Sequence, residues 1–282
     1  MAAPLAVYLG LRPSSRRDVV YAVVFAAVAV LLCLGPADDF GQLERAWVVL
    51  LTASVAIVVL ATGVRGWAAS SLLALAGAGA AGGVLMVLTG LTWTKLAGLV
   101  EHHYFLLART VVDWVAPVGA PTRESVNATL LGGVRALSGF LPGLVLLQSL
   151  AALALAWALY HRLAKQPRGE PLAPLAAFRF NDHLIWGVAL SLLVVLVPRL
   201  AWSRGLGGNL LVFFGGLYLV RGVAVLATLA GAAGFTGLLA YLVVLFLMVF
   251  LLPVVAAAAL ALGLTDTLID WRLRLARAAG KP

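Results

Sequence analysis

An all-α polytopic transmembrane helix bundle is the fold class this sequence predicts, and three observations carry the prediction. Hydrophobic residues make up 63% of the 282 and charged residues only 11%, whereas a soluble domain has roughly 45–50% apolar and about 25% charged residues. Mean hydropathy is +1.06. The apolar residues fall into seven runs approaching or reaching the length of a bilayer crossing, and the charges gather between them. A soluble enzyme, a disordered chain and a disulfide scaffold are thereby excluded. Cys33 is the sole cysteine and lies in an apolar run, so neither an intramolecular disulfide nor a CxxC metal site exists.

The elements follow in order. Arg12, Arg16 and Arg17 precede an apolar run from Val19 to Gly35. It is long for a cleaved signal and ends on Gly35-Pro36-Ala37, a poor cleavage site, so it reads as a retained first span. The second runs from Ala46 to Thr62, with Trp47 at its entrance, and the third from Trp67 to Thr92. Gly79 and Gly83 make a GxxxG pair in the third, read as helix packing or as a cavity wall.

Residues 93–138 differ. Tyr104, Leu107, Ala108, Val111 and Val115 share one helical face, with His102, Arg109 and Asp113 on the other. Arg109 and Asp113 have ion-pair spacing. Val126, Leu130, Val134 and Leu137 mark a second amphipathic stretch, and Pro117, Gly119 and Pro121 separate the two. Such segments lie at the interface or line a polar cavity.

The fourth span covers Gly139 to Tyr160, the fifth His183 to Pro198, the sixth Asn209 to Ala230 and the seventh Gly237 to Leu262, which Pro253 should kink. The organisation is one membrane domain: three spans over 1–92, an amphipathic connector over 93–138, and four spans over 139–282.

Net charge is +9. The basic residues sit in short loops and the tail, which speaks for topology and anionic headgroups rather than nucleic acid. Arg272, Arg274, Arg277 and Lys281 place the tail in the cytoplasm. Arg12, Arg16 and Arg17 favour a cytoplasmic start as well, and both ends inside requires an even number of crossings, in conflict with seven runs.

Arg221 is the most informative residue, a charge near the middle of the sixth span. Phe214, Leu217, Tyr218, Val225 and Thr228 share its face. An intramembrane charge marks a functional site by default. One reading is an anion-binding or coupling residue, with Tyr218, Thr228 and Asn209 beside it; the other is an arginine paired with a carboxylate for assembly. Depth along the helices argues against direct contact between Arg221 and Asp266 or Asp270. Those two aspartates, with Trp271, Arg272 and Arg274, read as an interfacial anchor or ion-pair set, with Asp270 and Arg274 at helical pairing distance. His102 and His103 point to different faces, so no metal site and no cofactor is predicted. No nucleophile–base set or nucleotide fingerprint can be assembled, so the chain does not read as an enzyme.

Phe178-Arg179-Phe180 leads into Asp182-His183-Leu184-Ile185-Trp186. Asn209, Leu217-Tyr218, Gly222, Leu262-Gly263-Leu264, Asp266, Asp270 and Arg272 follow. This order resembles the YybS-like family of multi-pass bacterial membrane proteins over residues 139–275. Asn181 and Arg221 depart from the family's proline and uncharged polar residue. The resemblance implies a multi-pass protein of the bacterial inner membrane. Helix count and small-residue packing are also similar to the substrate-binding subunits of energy-coupling-factor importers. Two function classes follow: a transport-related or substrate-binding membrane subunit, or a non-catalytic scaffold of a membrane or envelope complex. The bilayer is the expected partner, with other membrane subunits beside it.

Overall fold

The computed structural model describes residues 1–11, 13–62, 66–115, 123–232, 251–271 and 274. The described residues are helical without strands, and the chain divides into two compact units, Met1–Leu172 and Ala173–Pro282. The boundary falls in the proline-bearing loop after the fourth predicted span, not at either end of the amphipathic connector.

The first unit contains α1 (Ala2–Gly10), α2 (Arg16–Leu34), α3 (Asp39–Thr62), α4 (Trp67–Thr89), α5 (Trp93–Val115), α6 (Arg123–Ser138) and α7 (Leu141–Leu163). The predicted first, second and fourth spans correspond to α2, α3 and α7. The third ends earlier than predicted, at Thr89, where Gly90 adopts φ +66° and its N–H closes on Met86 and Val87 carbonyls. Hydropathy gave no hint of α1. This short helix is core: Leu5, Tyr8 and Leu9 are buried, and α1 packs on α2, α3 and α7. Tyr8 meets Trp157 edge-on at 5.3 Å and lies 5.9 Å from Tyr160.

Ser15 caps α2. Its hydroxyl accepts from the Asp18 N–H at 3.3 Å and donates to the Asp18 carboxylate at 2.9 Å, a reciprocal cap. Trp47 ties α3 to α7, donating from Nε1 to Ser149 Oγ at 2.9 Å.

The amphipathic connector forms two helices, α5 and α6, packed as a pair. Two details differ from expectation. Val100, Ala108 and Val112 are the buried line of α5, while Leu107 and Val111 stay about half exposed. Asp113 pairs with Arg123 of α6 rather than with Arg109, whose guanidinium lies 4.4 Å from the Phe105 ring centroid. The α6 helix supplies a partner that a single-helix reading of α5 does not contain. His103 donates from Nδ1 to Asp38 Oδ2 at 3.0 Å and stacks on Phe40 at 4.3 Å.

The second unit opens with 3-10 turns at Leu175–Ala177 and Asp182–Leu184, then α8 (Ile185–Leu196), a 3-10 segment Pro198–Ser203, α9 (Arg204–Ala232) and α10 (Leu252–Ile269). The fifth predicted span shrinks to the 12 residues of α8, a rise of about 18 Å against a hydrocarbon core of about 30 Å. The proline at position 198 ends it. The sixth begins earlier than expected, so Asn209 stands inside α9 and its side chain donates to the Gly205 carbonyl at 2.8 Å. Of the seventh, residues 237–250 lie outside the described residues. Pro253 does not kink a helix; it stands in the first turn of α10, where a missing N–H leaves no bond unmade. Six described helices are long and apolar enough to cross a membrane: α2, α3, α4, α7, α9 and α10.

Candidate functional site

The site is built on the α9–α10 pair. A Cβ on Gly222 would lie 1.6 Å from the Ala259 carbonyl oxygen, and one on Gly263 would lie 1.9 Å from the Tyr218 oxygen. Advancing four residues along α9 retreats four along α10, so the helices are antiparallel with backbones in direct contact. Only glycine permits that approach. The α8 helix packs on α9 in the same antiparallel sense, with Gly187 against Phe214 and Gly207 against Val194.

Arg221 projects from this interface and is 2% exposed. Its Nε donates to Asp266 Oδ2 at 2.9 Å, and its Nη1 donates to Asp182 Oδ1 at 2.6 Å. Direct pairing with Asp266 overturns the depth expectation, which measured helix rise from Cα to Cα. Helical side chains lean toward the N-terminus of their own helix. In an antiparallel pair the long arginine leans back toward Tyr218 and the level of Gly263, one turn from Asp266. Arg221 and Asp266 are therefore offset along the axis yet bonded.

The two carboxylates differ. Asp266 is fully buried, whereas the Asp182 side chain is 63% exposed. Phe180 covers the guanidinium at 5.4 Å and meets Tyr218 edge-on at 5.1 Å. The segment before α8 therefore acts as a strap: Phe180 and Asp182 close over Arg221, and Arg179 pairs with Asp270 at the end of α10. Asn181 accepts from the His183 N–H at 3.0 Å and fixes the turn between them.

The predicted anchor set is split by this arrangement. Asp270 terminates α10 in the left-handed region at φ 49°; its carbonyl accepts from the Arg274 N–H at 3.2 Å, while its carboxylate pairs with Arg179. Arg274 is exposed. Trp271 donates to Thr265 Oγ1 at 3.1 Å. Arg272 lies outside the described residues. Of the predicted ligand set, Tyr218 belongs to the cluster; its buried hydroxyl lies beside Thr267 without a well-formed hydrogen bond. Thr228 turns back onto its own helix, donating to Ala224 at 2.9 Å, and Asn209 likewise bonds its own helix. Neither joins Arg221. The residues missed from sequence were Phe180, Asp182 and Arg179. Their signal was present as an aromatic–basic–aromatic run with an acidic residue two positions on, just ahead of an apolar stretch.

The sequence matches the family described as "Predicted membrane protein (DUF2232)" over residues 1–267. The match takes in the N-terminal spans as well as the C-terminal motif, so the family likeness is not confined to residues 139–275. No curated protein and no solved structure matches the chain.

Proposed function

The chain belongs to the DUF2232 family of predicted membrane proteins, and from that membership and the Arg221 cluster we propose a non-catalytic multi-pass scaffold subunit of the bacterial inner membrane. One observation carries the reading: Arg221 is satisfied from within the chain by Asp266, Asp182 and the Phe180 ring. A buried arginine so held fixes the α9–α10 pair and the strap. The YybS-like resemblance and the basic tail around Arg274 support inner-membrane placement with a cytoplasmic C-terminus.

The second reading is a transport-related, substrate-binding subunit like those of energy-coupling-factor importers. It draws on the exposure of Asp182, which leaves one partner of Arg221 open to exchange. Membrane abundance and thermal stability in detergent separate the two. On the scaffold reading Arg221→Leu strands Asp266 and removes about 3–5 kcal/mol, with abundance falling accordingly. Arg221→Leu combined with Asp266→Leu regains part of the loss. Asp182→Ala costs about 1 kcal/mol or less because that pair is solvent-screened. An Arg221→Leu protein of normal abundance and melting temperature that fails only in ligand-dependent uptake would transfer the assignment to transport.

A further inference from the structure

Two basic runs far apart in the sequence meet at one end of the first unit. Asp18, in the first turn of α2, is 2% exposed. Its carboxylate accepts from Ser14 N–H at 2.9 Å, Ser14 Oγ at 2.6 Å, Ser15 Oγ at 2.9 Å and, across 147 positions, the Lys165 backbone N–H at 3.3 Å. That last bond places the start of α2 and the end of α7 on the same side. The loop beyond α7 is pinned further. Trp157 Nε1 donates to the Glu170 carbonyl at 3.0 Å, the Arg168 N–H donates to Tyr160 Oη at 3.0 Å, and His161 turns Nε2 to the Gly169 carbonyl at 3.2 Å.

The result is a fixed basic end carrying Arg16, Arg17, Arg162, Lys165 and Arg168, all exposed. Arg17 is occupied by Tyr21, donating from Nε to its hydroxyl at 2.9 Å. Among the described residues the side chains of Arg16, Arg162, Lys165 and Arg168 meet no carboxylate within salt-bridge distance. The acidic groups nearby in sequence are Asp18, saturated by its four donors, and the exposed Glu170. Elsewhere in this unit Arg123 is answered by Asp113 and Arg135 by Glu101, Arg45 donates to the Pro36 carbonyl, and Arg109 lies over the Phe105 ring. Just above the basic end, Val19, Val20, Val23 and Val24 of α2 are exposed apolar surface. Unpaired cations directly below an apolar belt match a lipid whose chains lie on the belt and whose anionic headgroup lies among the cations.

We propose that this end of the first unit is a binding surface for anionic phospholipid headgroups, and that it faces the cytoplasm. The four long helices α2, α3, α4 and α7 then cross the bilayer with both the start of α2 and the end of α7 inside. With four crossings the loop of Arg162, Lys165 and Arg168 lies inside, in accord with the positive-inside rule.

The test uses the full chain in nanodiscs of phosphatidylcholine with about 20% phosphatidylglycerol, enough anionic lipid to give the surface a negative potential. Retained phosphatidylglycerol is measured by mass spectrometry. Arg16→Gln, Arg162→Gln and Arg168→Gln together should lower its enrichment, by about fivefold per charge at the limit set for a surface cation. Arg135→Gln and Lys95→Gln should leave it unchanged. Equal loss in the two sets, or no loss in the first with the melting temperature intact, overturns the headgroup site. Gln166→Cys in a Cys33→Ser background should resist an impermeant maleimide in intact spheroplasts and react after lysis. Labelling before lysis overturns the orientation.

Discussion

At Arg221 the sequence shows that a charge is out of place and the fold shows what answers it. A guanidinium has a planar fork of donors, so Nε and Nη1 reach two carboxylates from different segments at once; a lysine at this position offers a single point charge. The partners lie 45 and 39 positions away, and no spacing rule joins them. Asp38 is another residue whose environment sets its chemistry. It sits in the turn between α2 and α3, where the Gly41 N–H at 2.8 Å and then His103 hold its carboxyl below the usual aspartate range. The depressed value fixes the sign. The contribution is present above the ordinary aspartate value of about 4 and is lost as pH falls through the lowered value of Asp38. We expect acid titration to release the contact between this turn and α5 in that window, read as new hydrogen exchange at Gly41. Asp38→Asn should abolish the pH dependence, and an unchanged profile in that variant would refute the assignment.

Among the elements, glycine positions separate packing that the sequence suggests from packing that occurs. Gly79 and Gly83 carry the GxxxG spacing, yet a Cβ on either meets nothing within 4 Å. The close approach is made instead by Gly222 and Gly263, which have no such motif because they lie on different helices. Gly222→Ala and Gly263→Ala should each destabilise the second unit by about 3 kcal/mol or more, since the opposing atoms are backbone and cannot yield. Gly79→Ala and Gly83→Ala should be neutral or gain about 0.5–1 kcal/mol from helix propensity. Thermal melts of the four variants in one detergent decide the matter, and a reversed order would show that the α9–α10 contact is not as drawn. Periodicity located α5 and α6 as amphipathic, but of the predicted α5 face Ala108 is buried while Leu107 and Val111 are not, and Val100 and Val112 are buried in their stead. Leucine and valine on both sides of that helix make two overlapping apolar faces, and the partner selects between them.

For the molecule as a whole, the first ten residues matter beyond their length. Tyr8, Leu5 and Leu9 fill the first unit beside Trp157, Leu153 and Tyr160. Deleting residues 2–10 removes the buried side chains of Leu5, Tyr8 and Leu9, each worth about 1.5–3 kcal/mol, and should leave little monodisperse protein in fluorescence-detected size exclusion. A deletion variant that elutes and melts like the parent would show that α1 is dispensable. The same region contains the Ser15–Asp18 cap, a four-residue signature that is legible once the helix start is known.

Composition alone determined that the protein resides in a membrane, because apolar content this high has no soluble solution. Hydropathy also determined five long helices nearly to their ends, since the need to satisfy backbone hydrogen bonds in lipid converts an apolar run into a helix. It also marked a span where the structure has the 12-residue α8, because a short run scores as apolar regardless of whether it has the rise to cross. The tertiary structure alone decided which carboxylates hold Arg221, which glycines bring helices together, and that the two basic runs share one end. Each of these depends on contacts between groups 37 to 147 positions apart in the chain. A windowed sum over neighbours in the chain is blind to distances that only packing creates.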